Sequence, residues 1–105
     1  MNELSLIYST WPNTQTAENM ASKLLEKKQI ACANILPSMT SLYEWQGQIE
    51  KSAEVVMLIK TVTTNVESVK KMIVEDHEYE CPCVVAWVLD SAHNEFAQWV
   101  SEQTR

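Results

Sequence analysis

Apolar and polar residues alternate through Leu4-Ser5-Leu6-Ile7-Tyr8-Ser9-Thr10 and stop at Trp11-Pro12, where proline has no amide to donate to a ladder; this predicts a first strand. Beyond it the period changes. Ala17, Met20, Ala21, Leu24 and Leu25 recur at i, i+3, i+4, i+7 and i+8, with Asn13 or Thr14 placed to cap, which predicts an amphipathic helix covering one side of a sheet. Ile30 to Ile35 and Met39 to Trp45 read as one extended stretch bent near Pro37, and Ile49 to Val62 as its return strand. The far half of the return, Val55-Val56-Met57-Leu58-Ile59, is apolar enough for the centre of a sheet. Between the two arms stands Gly47, the only glycine of the chain, which predicts a tight reversal with positive φ and hence a long hairpin.

Thr64-Asn65-Val66-Glu67 has the spacing of a capping box, and Val66, Val69 and Ile73 supply a second helical stripe down to about His77. Cys83 to Leu89 reads as a last strand, apolar enough to be covered. A short helix with Phe96, Trp99 and Val100 closes the chain; Trp87 and Trp99 are expected in the core, and His93 on the surface. The order β-α-β-β-α-β plus a terminal helix predicts an α+β, ferredoxin-like fold: an antiparallel sheet with both main helices on one face. With 105 residues and no linker or repeat, the chain is expected to form one domain, residues 1–105.

Composition narrows the function. The net charge is −6 and the only arginine is Arg105, so nucleic acid is a poor partner. A single glycine leaves nothing for a Gly-rich phosphate loop. No apolar run approaches the ~18 residues of a membrane span. The opening Met1-Asn2-Glu3-Leu4 has no basic, signal-like start, and the three cysteines fit a reducing compartment; a soluble cytoplasmic protein without a membrane partner is expected. The loop after the first strand, Ser9-Thr10-Trp11-Pro12, has neither the Cys-x-x-Cys of a metallochaperone nor a cationic clamp for phosphoryl transfer. No nucleophile with an adjacent base can be assembled, so the chain does not read as an enzyme.

Two groups of residues carry possible chemistry. Cys81-Pro82-Cys83 sets two soft donors two residues apart, with His77 four residues upstream, a set suited to Cu(I) or Zn(II). The same thiols also read as a small core residue (Cys83) and a half-exposed loop thiol (Cys81). The second group is Glu54 and Lys60 with the aromatic pair Tyr43 and Trp45 on the two hairpin arms, a candidate ligand cleft or else a solvated face and an interface. Arms from Met39 to Val62 exceed what so small a sheet needs and leave edges unpaired. Pairing with further copies around a closed ring would hide those edges, which predicts a cyclic homo-oligomer.

Ala31-Cys32-Ala33-Asn34-Ile35, Ser41-Leu42-Tyr43-Glu44-Trp45-Gln46-Gly47-Gln48-Ile49, Glu54, Lys60-Thr61, His77-Glu78-Tyr79 and Trp99 occur in an order and spacing that resembles the CutA family, the divalent-ion tolerance proteins. The resemblance spans nearly the whole chain. It implies a homotrimer locked by the 39–62 hairpins, similar in build to PII signalling proteins, with clefts between subunits. It also implies binding of copper or another divalent metal in metal tolerance. In the bacterial pattern of that family the copper ligands are a Cys near the end of the first strand and a His-His pair; here those positions are Ser9 and Asp76-His77, so only His77 matches. Cys81, Cys83 and His77 stand as a replacement donor set. The alternative is a PII-like regulatory trimer that holds a small anion or metabolite through Lys60.

Overall fold

The computed structural model describes residues 2–105. Its central strand is β1 (Leu4–Trp11), flanked by β3 (Gln48–Val62) and β4 (Val84–Val88) and antiparallel to both; β2 (Cys32–Trp45) pairs with β3 on its far side. Helix α1 (Thr14–Glu26) connects β1 to β2, α2 (Val66–Asp76) connects β3 to β4, and α3 (Asn94–Gln103) closes the chain. This is the expected ferredoxin-like order, with sheet order β2-β3-β1-β4.

Strand alternation assigns the two faces. Ile7 and Trp11 of β1 and Val55, Met57 and Ile59 of β3 turn the same way, and they share a core with Ala17, Met20, Ala21 and Leu24 of α1 and Val66, Val69 and Ile73 of α2. Asn13 caps α1, its Oδ1 accepting the Thr16 amide at 2.9 Å. Leu25 departs from its expected place and is exposed, because it lies about 80° round the helix from Ala17, at the flank of the stripe. The capping box before α2 does not form. A 3-10 turn over Thr63–Asn65 leads into the helix, and the Asn65 side chain donates to the Gln29 carbonyl at 3.1 Å instead.

The opposite face is half covered. At one corner Leu4 and Val62 pack under Ala97 and Val100 of α3. Over the rest, Leu6, Tyr8 and Leu58 are half-buried, and Leu36, Val85 and Trp87 are exposed. Three expectations fail here for one reason: an apolar side chain is hidden only if something packs on its face. The last strand begins at Val84 rather than Cys83, and it is an uncovered edge. Trp87 is 47% exposed, and Trp99, although its ring lies 5.8 Å from that of Phe96, is 40% exposed.

The hairpin outruns the sheet. β1 meets β3 only from Val55 onward, so Gln48 to Glu54 of β3 pair with Met39 to Trp45 of β2 alone. Seven residues on each side make a two-stranded arm about 23 Å long, in a molecule whose longest dimension is 47 Å. A bulge between Leu36 and Met39, where Ser38 has φ 66°, marks its base. At its tip Gln46 and Gly47 have φ 50° and 79°, the pair of positive values of a type I′ reversal. The side chains cover neither face of the tip: Leu42 and Ile49 project on one, Tyr43 and Trp45 on the other.

A Cβ at Gly47 would meet nothing within 4 Å, so substitution there acts through backbone strain alone. Gly47→Val is expected to destabilise the protein by about 1–3 kcal/mol, while Gln46→Asn, which favours the left-handed region, is expected to stabilise it. Denaturant unfolding of both variants checks the signs, and equal midpoints would reject the turn geometry.

Candidate functional site

Helix α2 stops because His77 turns extended, with φ −74° and ψ 144°, and the imidazole then folds back onto the end of β1. Its ring stacks on Trp11 with centroids 4.2 Å apart and an interplanar angle of 27°. Trp11 is buried and donates its indole N–H to Ser9 Oγ at 2.8 Å, which fixes the surface against which the imidazole lies. His77 Nε2 is 2.7 Å from the Thr10 carbonyl oxygen, and His77 Nδ1 is 3.1 Å from the Tyr79 amide nitrogen. A carbonyl only accepts and an amide N–H only donates. The network therefore assigns a neutral ring with its proton on Nε2 and its Nδ1 lone pair already used.

Tyr79 carries the contact further. Its ring lies 4.5 Å from that of His77, and its hydroxyl donates to Glu54 Oε2 at 2.8 Å. Burial and then this bond to Glu54, with the charges of Glu54, Tyr43 and Glu78 adding, hold the phenol well above its usual range. Cys81 and Cys83 follow directly, both free and exposed. Desolvation of the Cys83 thiol is the main cause that raises its pKa, and the charges of Glu54 and Cys81 act in the same direction. Glu54, at the base of the arm, is thus the group that links the hairpin to the thiol segment.

The two expected groups are redistributed. Glu54 joins Tyr79 and Cys83, with Tyr43 in electrostatic reach of Tyr79. Trp45 stands at the arm tip opposite Gln48. Lys60 shares a sheet face with Glu54 but lies six residues along β3, about 20 Å away, with its ammonium on Asn34 Oδ1. Opposite it, the Cys32 thiol is raised by burial, against the lowering effect of Lys60. Within one chain, then, Lys60 forms no cleft with Tyr43 and Trp45. Among the described residues no three His, Cys, Asp or Glu side chains are grouped to hold one metal ion, so His77 does not gather with Cys81 and Cys83. Ser9 is fully buried, and its Oγ is taken up by the Trp11 indole N–H.

Sequence reasoning gave no role to Trp11 or Tyr79. The signal for Tyr79 is its spacing of two from His77; for Trp11, it is an aromatic residue closing a central strand.

Residues 5–103 match the family described as CutA1 divalent ion tolerance protein. Human protein CutA is 36% identical over 101 residues, 96% of this chain and 56% of the human protein. The divalent-cation tolerance protein CutA of Thermus thermophilus is 35% identical over 104 residues, 99% of either chain. The chain thus spans about half the length of several animal and plant relatives but nearly all of the prokaryotic ones. Among solved structures, the divalent ion tolerance protein CutA1 of Ehrlichia chaffeensis superposes with a TM-score of 0.97 at 34% identity, covering 100% of this chain and 98% of that one. The periplasmic divalent cation tolerance protein CutA of Archaeoglobus fulgidus gives 0.94 at 35% identity, covering 97% and 99%. One relative, from Arabidopsis thaliana, is named chloroplastic. No helix among the described residues is long and apolar enough to cross a membrane.

The Tyr79 to Glu54 contact has a direct readout in the three tyrosines of the chain. In an alkaline titration followed by tyrosinate absorbance, one phenol is expected to resist ionisation beyond pH about 10, and Tyr79→Phe to remove that late component. Because the folded-state value is raised, the stabilisation from this group is complete below pH about 10 and is lost as pH climbs through the raised value. Three tyrosines ionising together would show that the contact does not form.

Proposed function

The chain belongs to the CutA1 divalent ion tolerance family, and from that premise we propose that it acts in the cytoplasm as a homotrimer that binds copper or another soft metal ion in the response to metals. The observation that carries metal binding is the pair Cys81 and Cys83: free, exposed thiols preceded by acidic Glu78 and Glu80, with Cys83 within reach of the Glu54 charge. Thiolate sulfur is the donor that soft cations prefer, and free thiols suit a reducing compartment. In this reading the chain is a binding protein and not an enzyme.

Assembly is supported by the half-covered sheet face. Leu6, Tyr8, Leu36, Leu58, Val85 and Trp87 form a contiguous apolar surface of the kind that marks an interface. The arm supports it too, because a two-stranded ribbon with apolar residues on both faces has little stability alone. A second reading, a regulatory trimer holding a small anion, rests on Lys60, the half-buried cation on that same face. Lys60→Ala abolishing binding of an anionic metabolite, with copper uptake unchanged, is the result that would favour it.

Light scattering of the reduced protein is expected to give three times the 12.0 kDa chain mass, and Trp87→Glu to shift it toward single chains. A monomer at micromolar concentration would remove the trimer. In Cu(I) competition against a chromophoric chelator, Cys81→Ser/Cys83→Ser is expected to lose binding. The Cys83 thiol, raised above its ordinary value, stays protonated at neutral pH, so uptake releases its proton and affinity rises with pH.

A further inference from the structure

We infer that Cys81 and Cys83 make a complete two-coordinate site, sulfur–metal–sulfur, selective for a soft closed-shell cation that accepts linear ligation, Cu(I) foremost, and closed to zinc. The inference rests on the thiol reading given above and specifies its coordination.

The remaining candidate donors are already engaged. For His77 to ligate, Nδ1 must give up the Tyr79 amide, or Nε2 must lose its proton and the Thr10 carbonyl, and the ring must also leave its stack on Trp11. Each lost hydrogen bond weighs against ligation, more so where a buried group is left unpaired. Glu54 is held by the Tyr79 hydroxyl and offers hard oxygen, which Cu(I) disfavours. Among the described residues nothing else brings a third donor to the thiols. Zinc requires four ligands in a closed structural site and three in an open one, so two sulfurs do not satisfy it.

Cys81 sits at a bend, and between the two thiols Pro82 fixes its own φ and has no backbone N–H to donate.

The test uses the full, reduced chain under anaerobic conditions. Expected are one Cu(I) per chain, an X-ray absorption spectrum with two sulfur neighbours and no nitrogen, and a loss on the order of a hundredfold in Cu(I) affinity for Cys81→Ser alone. Co(II), as a zinc surrogate, should give no tetrahedral thiolate spectrum. A third sulfur or a nitrogen in the copper shell, one copper per three chains, or a tetrahedral Co(II) spectrum would overturn the two-coordinate site while leaving thiol binding intact. Unchanged Cu(I) affinity in Cys81→Ser/Cys83→Ser would instead remove thiol binding and this inference together.

Discussion

Trp11 is the residue through which the core reaches the surface chemistry. Its ring belongs to the cluster built by β1, β3, α1 and α2, its N–H is fixed by Ser9, and its outer face, covered by His77, forms the bed on which that imidazole stacks. From there the order passes outward one contact at a time: His77 holds the Tyr79 amide, Tyr79 holds Glu54, and Glu54 sets the electrostatic environment of Cys83. A loop following a helix would ordinarily be free to wander. Here its first residues are tied, His77 to the end of β1 and Tyr79 to the base of the hairpin, just ahead of the two exposed thiols.

The rest of the architecture follows from a sheet with helices on one side. Main helices α1 and α2 fill one face, and the small α3 covers a corner of the other. What remains is an apolar surface bounded by β4 on one side and continuing into the two-stranded arm on the other. The same face carries Lys60 and Cys32, whose thiol is already partly desolvated in the single chain.

Local signals in the sequence were enough for the elements. Helical stripes, the change to period two, and a lone glycine between β-prone runs are properties of neighbouring residues, and α1, the hairpin and α2 follow from them. What failed depended on distant parts of the chain. Val84 to Val88 is as apolar as a buried strand, and only the packing partner missing from its face makes Trp87 exposed. The helix cap expected at Thr64 to Glu67 lost to a 3-10 turn and to Gln29, 36 residues from Asn65. His77 looked available as a ligand because its two partners include a carbonyl 67 residues away. Glu54 and Lys60 seemed to belong together because both stand on one arm; their separation along β3 was readable from strand rise, whereas the bond of Glu54 to Tyr79 was not.

The bulge at Pro37 and Ser38 sets the parity of everything beyond it. Before it, the even-numbered residues Asn34 and Leu36 of β2 share a face with Leu58 and Val56; after it, the odd-numbered Met39, Tyr43 and Trp45 share that face with Glu54, Glu50 and Gln48. One extra residue has exchanged the two sides of the strand. Running the strand regularly through these positions at the same length would leave the composition and the hydrophobic content untouched, yet it would turn Tyr43 and Trp45 to the back of the arm and bring Leu42 and Glu44 forward. The facing of the arm therefore rests on the bulge itself, and across related chains the spacing from Leu36 to Trp45, read together with whether the bulge is kept, is the quantity to compare.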